Sequence, residues 1–239
     1  VFGVGYDGVD LNYCRNNNIV ITNTPKVLTN DVADLALGLM IALSRRINEA
    51  HNFILKKKWN KSPFDLTTSL AHKTVGIVGM GEIGEAFSKR AKSLSMKIVY
   101  YGPNKKKLNY RYFKNLKDMA SIIDIMVVTC IGGSQTKNLI NKSILKVMKP
   151  SSILVNISRG SVINETHLLD VLKKNLIAGA ALDVFNMEPK INKTFLKLNN
   201  VLLSPHNGSA TFDTRGKMAK VSSQNISNYL ISNKLKNQI

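Results

Sequence analysis

Three polar residues each follow an apolar run in the second half of the chain. Arg159 comes after "LVNIS", Glu188 after "LDVFNM" and His206 after "LLSP". The planar fork of an Arg suits a carboxylate bidentately. A His at a strand end can protonate a carbonyl oxygen while a hydride reaches its carbon. A carboxylate beside that His stabilises the imidazolium. Together these are the groups needed to reduce a 2-keto acid. Each residue also has a plain structural reading: Arg159 before Gly160 as a turn residue, Glu188 before Pro189 as a loop start, His206 as a strand cap. Their shared position behind a nucleotide-binding turn favours the chemical reading. The other histidines compete poorly. His51 lies on or just after a helix, His72 precedes the first strand at the far sheet edge, and His167 lies on a helix surface.

A hydride needs a donor, and Gly79-Met80-Gly81-Glu82-Ile83-Gly84 fits the G-x-G-x-x-G pattern. It follows an apolar strand and opens a helix, which is the context the pattern requires. The first Gly allows the tight turn, the second admits a pyrophosphate, and the third lets helix and strand pack closely. NAD-binding versions place an acid about 20 residues on, at the end of the second strand. Here that strand ends in Gly102, Pro103 and Asn104, followed by Lys105, Lys106 and Lys107, and no acid lies between Met96 and Lys107. A carboxylate would repel a 2′-phosphate and lysines attract it. The turn therefore favours NADP(H), with NAD(H) still admissible.

These groups must be presented by strand ends. From residue 74 the pattern is βα repeated: "TVGIVGM", "MKIVYY", "DIMVVTC", "SSILVNIS", "AGAALDVF" and "NVLLSPH" read as strands. "EIGEAFSKRAKSL", "LKDMASII", "NKSILKVM" and "NETHLLDVLKKN" read as the helices between them. Apolar strands alternating with helices imply a parallel sheet covered on both faces, an α/β doubly wound fold. Upstream, "NIVITNTP" (18–25) reads as a short strand. One long helix follows over "TNDVADLALGLMIALSRRINEAHNFI", capped by Thr29 or Asn30, with Asp31 and Asp34 in its first turn. "KKKWNKSPFDLTTSLAHK" (56–73) reads as an irregular connection.

The chain has 239 residues, of which 44% are hydrophobic, enough for one large domain or two small ones. No apolar run approaches the 18 residues of a membrane span, and no signal peptide is visible. Cys14 and Cys130 form no metal or redox motif and read as thiols of a reducing compartment. The balance of 34 basic to 15 acidic residues gives +19. The lysine clusters are short and no nucleic-acid motif accompanies them, so the charge reads as solvated faces that also favour anionic ligands. No metal, nucleic-acid or membrane partner is expected.

The chain resembles the D-isomer-specific 2-hydroxyacid dehydrogenase family, and within it the plant-type hydroxyphenylpyruvate/hydroxypyruvate (glyoxylate) reductases. The resemblance is carried by "VGYDGVDL", "ITNTPKVLTNDVADLALGLMIALSRRI", "FDLTTSLAHKTVGIVGMGEIG", "LVNISRGSVINE", "GAALDVFNMEP" and "NVLLSPHNGSAT". It implies a Rossmann domain beside a flavodoxin-like substrate lobe. It puts the substrate-binding Arg on Arg159, its Glu on Glu188 and its acid/base His on His206. A nicotinamide-facing Asp falls on Asp183, with Ile157, Ser158 and Gly208 on the cofactor side. Backbone contacts to the substrate carboxylate fall on Val4 and Gly5. Related NADPH enzymes carry Ser-Arg-Ser where this chain has Gly102-Pro103-Asn104. The expected boundaries are 1–29 for the end of the substrate lobe, 30–206 for the NAD(P)-binding domain and 207–239 for a return to the lobe. The opening "VFGVGYDGVD" reads as the middle of a longer protein, so this stretch alone is expected to bind dinucleotide and turn over poorly. The resemblance also implies a homodimer, through the long helix and the Trp59 arm, in the cytosol. Some proteins of this fold are instead nucleotide-sensing corepressors, and that reading, or an inactive fragment, stays open as the alternative.

Overall fold

A computed structural model describes residues 1–232 and 235–239. Helices α1 (Leu11–Asn16), α2 (Thr29–Ser44) and α3 (Ile47–Leu55) precede the first strand. Then follow β1 (Thr74–Val78), α4 (Glu82–Ser93), β2 (Lys97–Tyr101), β3 (Arg111–Phe113), α5 (Leu116–Ile122) and β4 (Ile125–Val128). After them come α6 (Lys142–Leu145), β5 (Ile153–Asn156), α7 (Glu165–Lys173), β6 (Gly179–Leu182), β7 (Val201–Leu203) and α8 (Phe212–Ser232).

The strands are too apolar to face water on either side, so helices must cover both faces. The side-chain period of two sorts each strand accordingly. Val75 and Ile77 of β1, with Ile125 and Val127 of β4, point to the layer built by α2 and α4 around Ala36, Met40, Phe87 and Ala91. Val78, Met126 and Val128 point the other way, into the layer of α5, α6 and α7 with Met119, Leu145 and Leu168. All seven strands are parallel, in the order β3-β2-β1-β4-β5-β6-β7. Ile77 stands in register with Tyr100 on one side and Val127 on the other. The order reverses between β1 and β4, and a sheet of this kind opens a ligand crevice there, at the strands' C-terminal ends.

Several sequence expectations need correction. The long helix is two helices, broken where Arg46 takes a left-handed backbone (φ 50°). The Arg46 guanidinium is held there by Glu49 at 2.6 Å and Asp65 at 3.2 Å, and it lies 5.0 Å from the Phe64 ring centroid. Leu28, not Thr29 or Asn30, occupies the cap position of α2, and no side chain caps it. Asp31 instead accepts a hydrogen bond from the Thr211 hydroxyl, fastening the start of α2 to the start of α8. That bond, ahead of one from Thr214, holds the Asp31 carboxyl below its ordinary range. Residues 18–25 form no strand. Thr22 makes a single antiparallel bridge with Gln238, Asn23 N–H donates to the Asn237 carbonyl, and Ile239 N–H donates to the Ile21 carbonyl. Strand β3 and helix α8 were not anticipated.

Candidate active site

The G-x-G-x-x-G turn leaves β1 at the switch point and each glycine has a distinct reason. Gly79 has φ 100°, and a Cβ there would lie 2.5 Å from the Cys130 backbone. A Cβ on Gly84 would lie 2.4 Å from the Gly79 carbonyl oxygen. Gly81, in contrast, faces open space. The turn is stitched in place by Gly79 N–H donating to the Tyr101 carbonyl (2.9 Å) and by the Thr129 hydroxyl donating to the Gly79 carbonyl (2.6 Å). Gly81 is the N-cap of α4 and supplies no side-chain cap. The helix therefore presents free N–H groups and its positive dipole end beside that open space, which fits a pyrophosphate. Met80 is buried beneath the turn, and the Glu82 carboxylate is turned aside to accept from the Thr29 hydroxyl at 3.4 Å.

At the end of β2 the turn is tied down by Tyr hydroxyls. Tyr112 donates to the Gly102 carbonyl at 3.1 Å, and Tyr100 accepts from Lys106 N–H at 2.8 Å. Pro103, Asn104, Lys105, Lys106 and Lys107 are exposed. The turn is acid-free and cationic, so it can take an added phosphate.

β7 ends at Leu203, and His206 follows with a left-handed backbone, φ 52°. Its Nδ1 lies 2.5 Å from Glu188 Oε2. Glu188 is itself held, because Oε1 accepts from Phe185 N–H at 2.8 Å. With Nδ1 engaged, Nε2 is the ring atom left to meet a ligand. The loop around His206 is fixed from β6. His206 N–H donates to the Asp183 carbonyl at 2.8 Å. The buried Asp183 carboxylate accepts from Asn207 N–H at 2.7 Å and Gly208 N–H at 2.9 Å. Asp183 thus does more than its sequence assignment said: it holds the histidine loop.

Arg159 leaves the end of β5. Its Nε–H donates to Asp7 Oδ1 at 3.0 Å and Nη1 donates to the Ser158 carbonyl at 2.9 Å. Beneath it, the Asn156 amide donates to the Arg159 carbonyl at 3.0 Å, and Ser158 Oγ donates to the Cys130 carbonyl. Burial pushes the Cys130 thiol up to about 11.

One cavity of about 360 Å³ gathers much of this. It is lined by Val4, Gly5, Ile83, Ile157 and Ser158, with Arg159, Asp183, His206 and Gly208. Glu188 stands behind His206. Of the Gly79–Gly84 turn only Ile83 reaches the cavity lining, and residues 102–105 are set apart at the end of β2. Sequence reasoning missed Asp7, Cys130 and Arg215, the last two lining the cavity. Asp7 and Arg159 are 152 positions apart, so only the fold reveals the pair. Among the described residues, no group of three or more His, Cys, Asp or Glu could hold a metal ion.

The chain is similar in sequence and in fold to known proteins. Residues 37–208 match the family described as D-isomer specific 2-hydroxyacid dehydrogenase, NAD binding domain. The chain is 42% identical to glyoxylate/hydroxypyruvate reductase A of Arabidopsis thaliana, over 91% of this chain and 70% of that one. It is also 42% identical to the hydroxyphenylpyruvate reductase of Plectranthus scutellarioides, with the same coverage. Among solved structures, the NADPH-dependent glyoxylate/hydroxypyruvate reductase of Sinorhizobium meliloti, in complex with NADP and malonate, superposes with a TM-score of 0.96 at 35% identity. That superposition covers 100% of this chain and 76% of that one. The chain belongs to the D-isomer specific 2-hydroxyacid dehydrogenase family.

Proposed function

We propose that this protein reduces a short 2-keto acid, of the hydroxypyruvate, glyoxylate or hydroxyphenylpyruvate type, to the 2-hydroxy acid, with D configuration wherever the product is chiral. The observation that carries the reading is the Glu188–His206 pair at 2.5 Å, with His206 lining the same cavity as Arg159. The bound nicotinamide cofactor supplies the hydride. The protein's own residues do the rest. The Arg159 guanidinium and the backbone at Val4 and Gly5 hold the substrate carboxylate and keto oxygen. His206 Nε2 delivers the proton to that oxygen. Glu188, anchored by Phe185 N–H, keeps Nδ1 protonated and the ring oriented, and stabilises the imidazolium before transfer. Ile157 and Ser158 in the cavity lining would flank the nicotinamide, and the free N–H groups of α4 would hold the pyrophosphate.

NADPH is the favoured cofactor on the strength of the acid-free lysine turn, with NADH admissible. Exposed Trp59, Leu55 and Leu66 are apolar surface suited to a homodimer contact. The bridge between Thr22 and Gln238 supports a unit in which residues 1–29 and 207–239 act together beside the nucleotide-binding domain at 30–206. No helix among the described residues is long and apolar enough to cross a membrane. The free thiols of Cys14 and Cys130 suit a cytosolic setting. The test is a panel of 2-keto acids with NADPH and NADH, followed at the nicotinamide absorbance band, with the hydroxypyruvate and hydroxyphenylpyruvate products resolved by chirality. Oxidation of NADPH with a D-hydroxy acid product is expected. An L product, or no oxidation with any member of the panel, contradicts the reading.

A further inference from the structure

We propose that Asp7 is a positioning residue for Arg159, holding the guanidinium by Nε so that its Nη groups are left for the substrate carboxylate. The inference rests on Arg159 as the carboxylate holder. Both Asp7 oxygens address one donor: Oδ1 lies 3.0 Å and Oδ2 3.3 Å from Nε. A second tether, Nη1 to the Ser158 carbonyl at 2.9 Å, fixes the rotation of the plane. A guanidinium carries five N–H groups. Two are used by these contacts and three remain on the Nη atoms.

The remaining donors face the substrate wall. A Cβ on Gly5 would lie 2.0 Å from Nη2, so Nη2 presses against the backbone assigned to carboxylate contact. On the other side, a Cβ on Gly132 would lie 2.6 Å from Arg159 Cγ and 2.9 Å from Asp7 Oδ2. Arg159 thus lies in a slot walled by two glycines and closed by Asp7. An acid that competed with substrate would pair with the Nη edge of the fork, where a carboxylate binds bidentately. Asp7 takes Nε instead, and its charge offsets that of a partly buried cation without occupying the subsite.

The two roles predict opposite signs. If Asp7 positions Arg159, Asp7→Ala in the full chain raises KM for hydroxypyruvate by about tenfold or more, since a loosened guanidinium must be re-ordered on binding. Oxamate, an unreduced mimic of a 2-keto acid, loses affinity for the NADPH-loaded protein by a similar factor in calorimetry. KM for NADPH stays within about twofold and kcat falls less than KM rises. Asp7→Asn keeps an acceptor oxygen for Nε–H and recovers most of the loss. A lower KM in Asp7→Ala identifies a competitor and overturns the proposal. Unchanged oxamate affinity, or a parallel rise in the NADPH KM, also overturns it. A parent protein that binds oxamate but reduces no keto acid contradicts the functional reading, and the Asp7 role is then decided by oxamate affinity alone.

Discussion

His206 owes its place to atoms outside its own side chain. Its left-handed backbone costs on the order of 1 kcal/mol for a residue with a Cβ. The Asp183 carboxylate repays this with two backbone N–H bonds on the following residues. Asp183→Asn turns one acceptor oxygen into an amide NH2 donor facing a backbone N–H. It should destabilise the protein by about 1–3 kcal/mol and lower kcat about tenfold, as read by thermal denaturation and steady-state kinetics. An unchanged kcat would detach the loop from catalysis. Glu188→Gln leaves Nδ1 without its carboxylate. A fall in kcat of roughly ten- to a hundredfold, with the NADPH KM unmoved, is the expected result. Cys130 gives a chemical check on burial. With its thiol pushed up to about 11, it should alkylate at pH 8 about a hundredfold more slowly than a free thiol, as mass spectrometry of its peptide would record. Fast labelling would mean that this wall of the cavity is open.

At the scale of elements, what could be read in the sequence depended on local physics. The β1–α4–β2 unit was legible because its apolar runs, glycine spacing and helix period agree within 28 residues. The strand ends carrying Arg159, Glu188 and His206 were legible for the same reason. The break between α2 and α3 was not, because one left-handed residue at Arg46 leaves the apolar period intact on both sides. Helix α8 buries Thr214, Met218 and Asn225, two of them polar, so it carries almost no amphipathic signal. The Asp7–Arg159 and Asp31–Thr211 pairs were invisible because each joins distant parts of the chain. Asp124 is a further such contact. Its burial favours the neutral acid, but Thr74 N–H at 2.8 Å and the Lys149 ammonium at 2.9 Å win, and its carboxyl sits below the ordinary range. The stability it adds is therefore full above the unfolded carboxylate value near 4 and is lost as pH falls through the lower folded value. Asp124→Ala should cost about 1–2 kcal/mol at neutral pH, with the gap to the parent narrowing in acid denaturation curves below about pH 4. A gap that is constant with pH would assign the cost to packing.

Across the whole molecule, the net charge of +19 and the exposed lysines at the end of β2 bias the surface toward anions. Lys105→Ala with Lys106→Ala should raise the apparent constant for NADPH several-fold more than that for NADH, with the difference shrinking at high salt. If the parent binds NADH better, the lysine turn has been misread. The parallel sheet brings the Gly79–Gly84 turn, Arg159 and His206 to one edge, and the proposed role of His206 there is that of proton donor. The most direct test is NADPH oxidation by hydroxypyruvate in the full-length parent and in His206→Gln, measured side by side with NADPH affinity. The account predicts that kcat falls by two orders of magnitude or more while NADPH affinity stays within about twofold. Turnover unchanged in His206→Gln would contradict it.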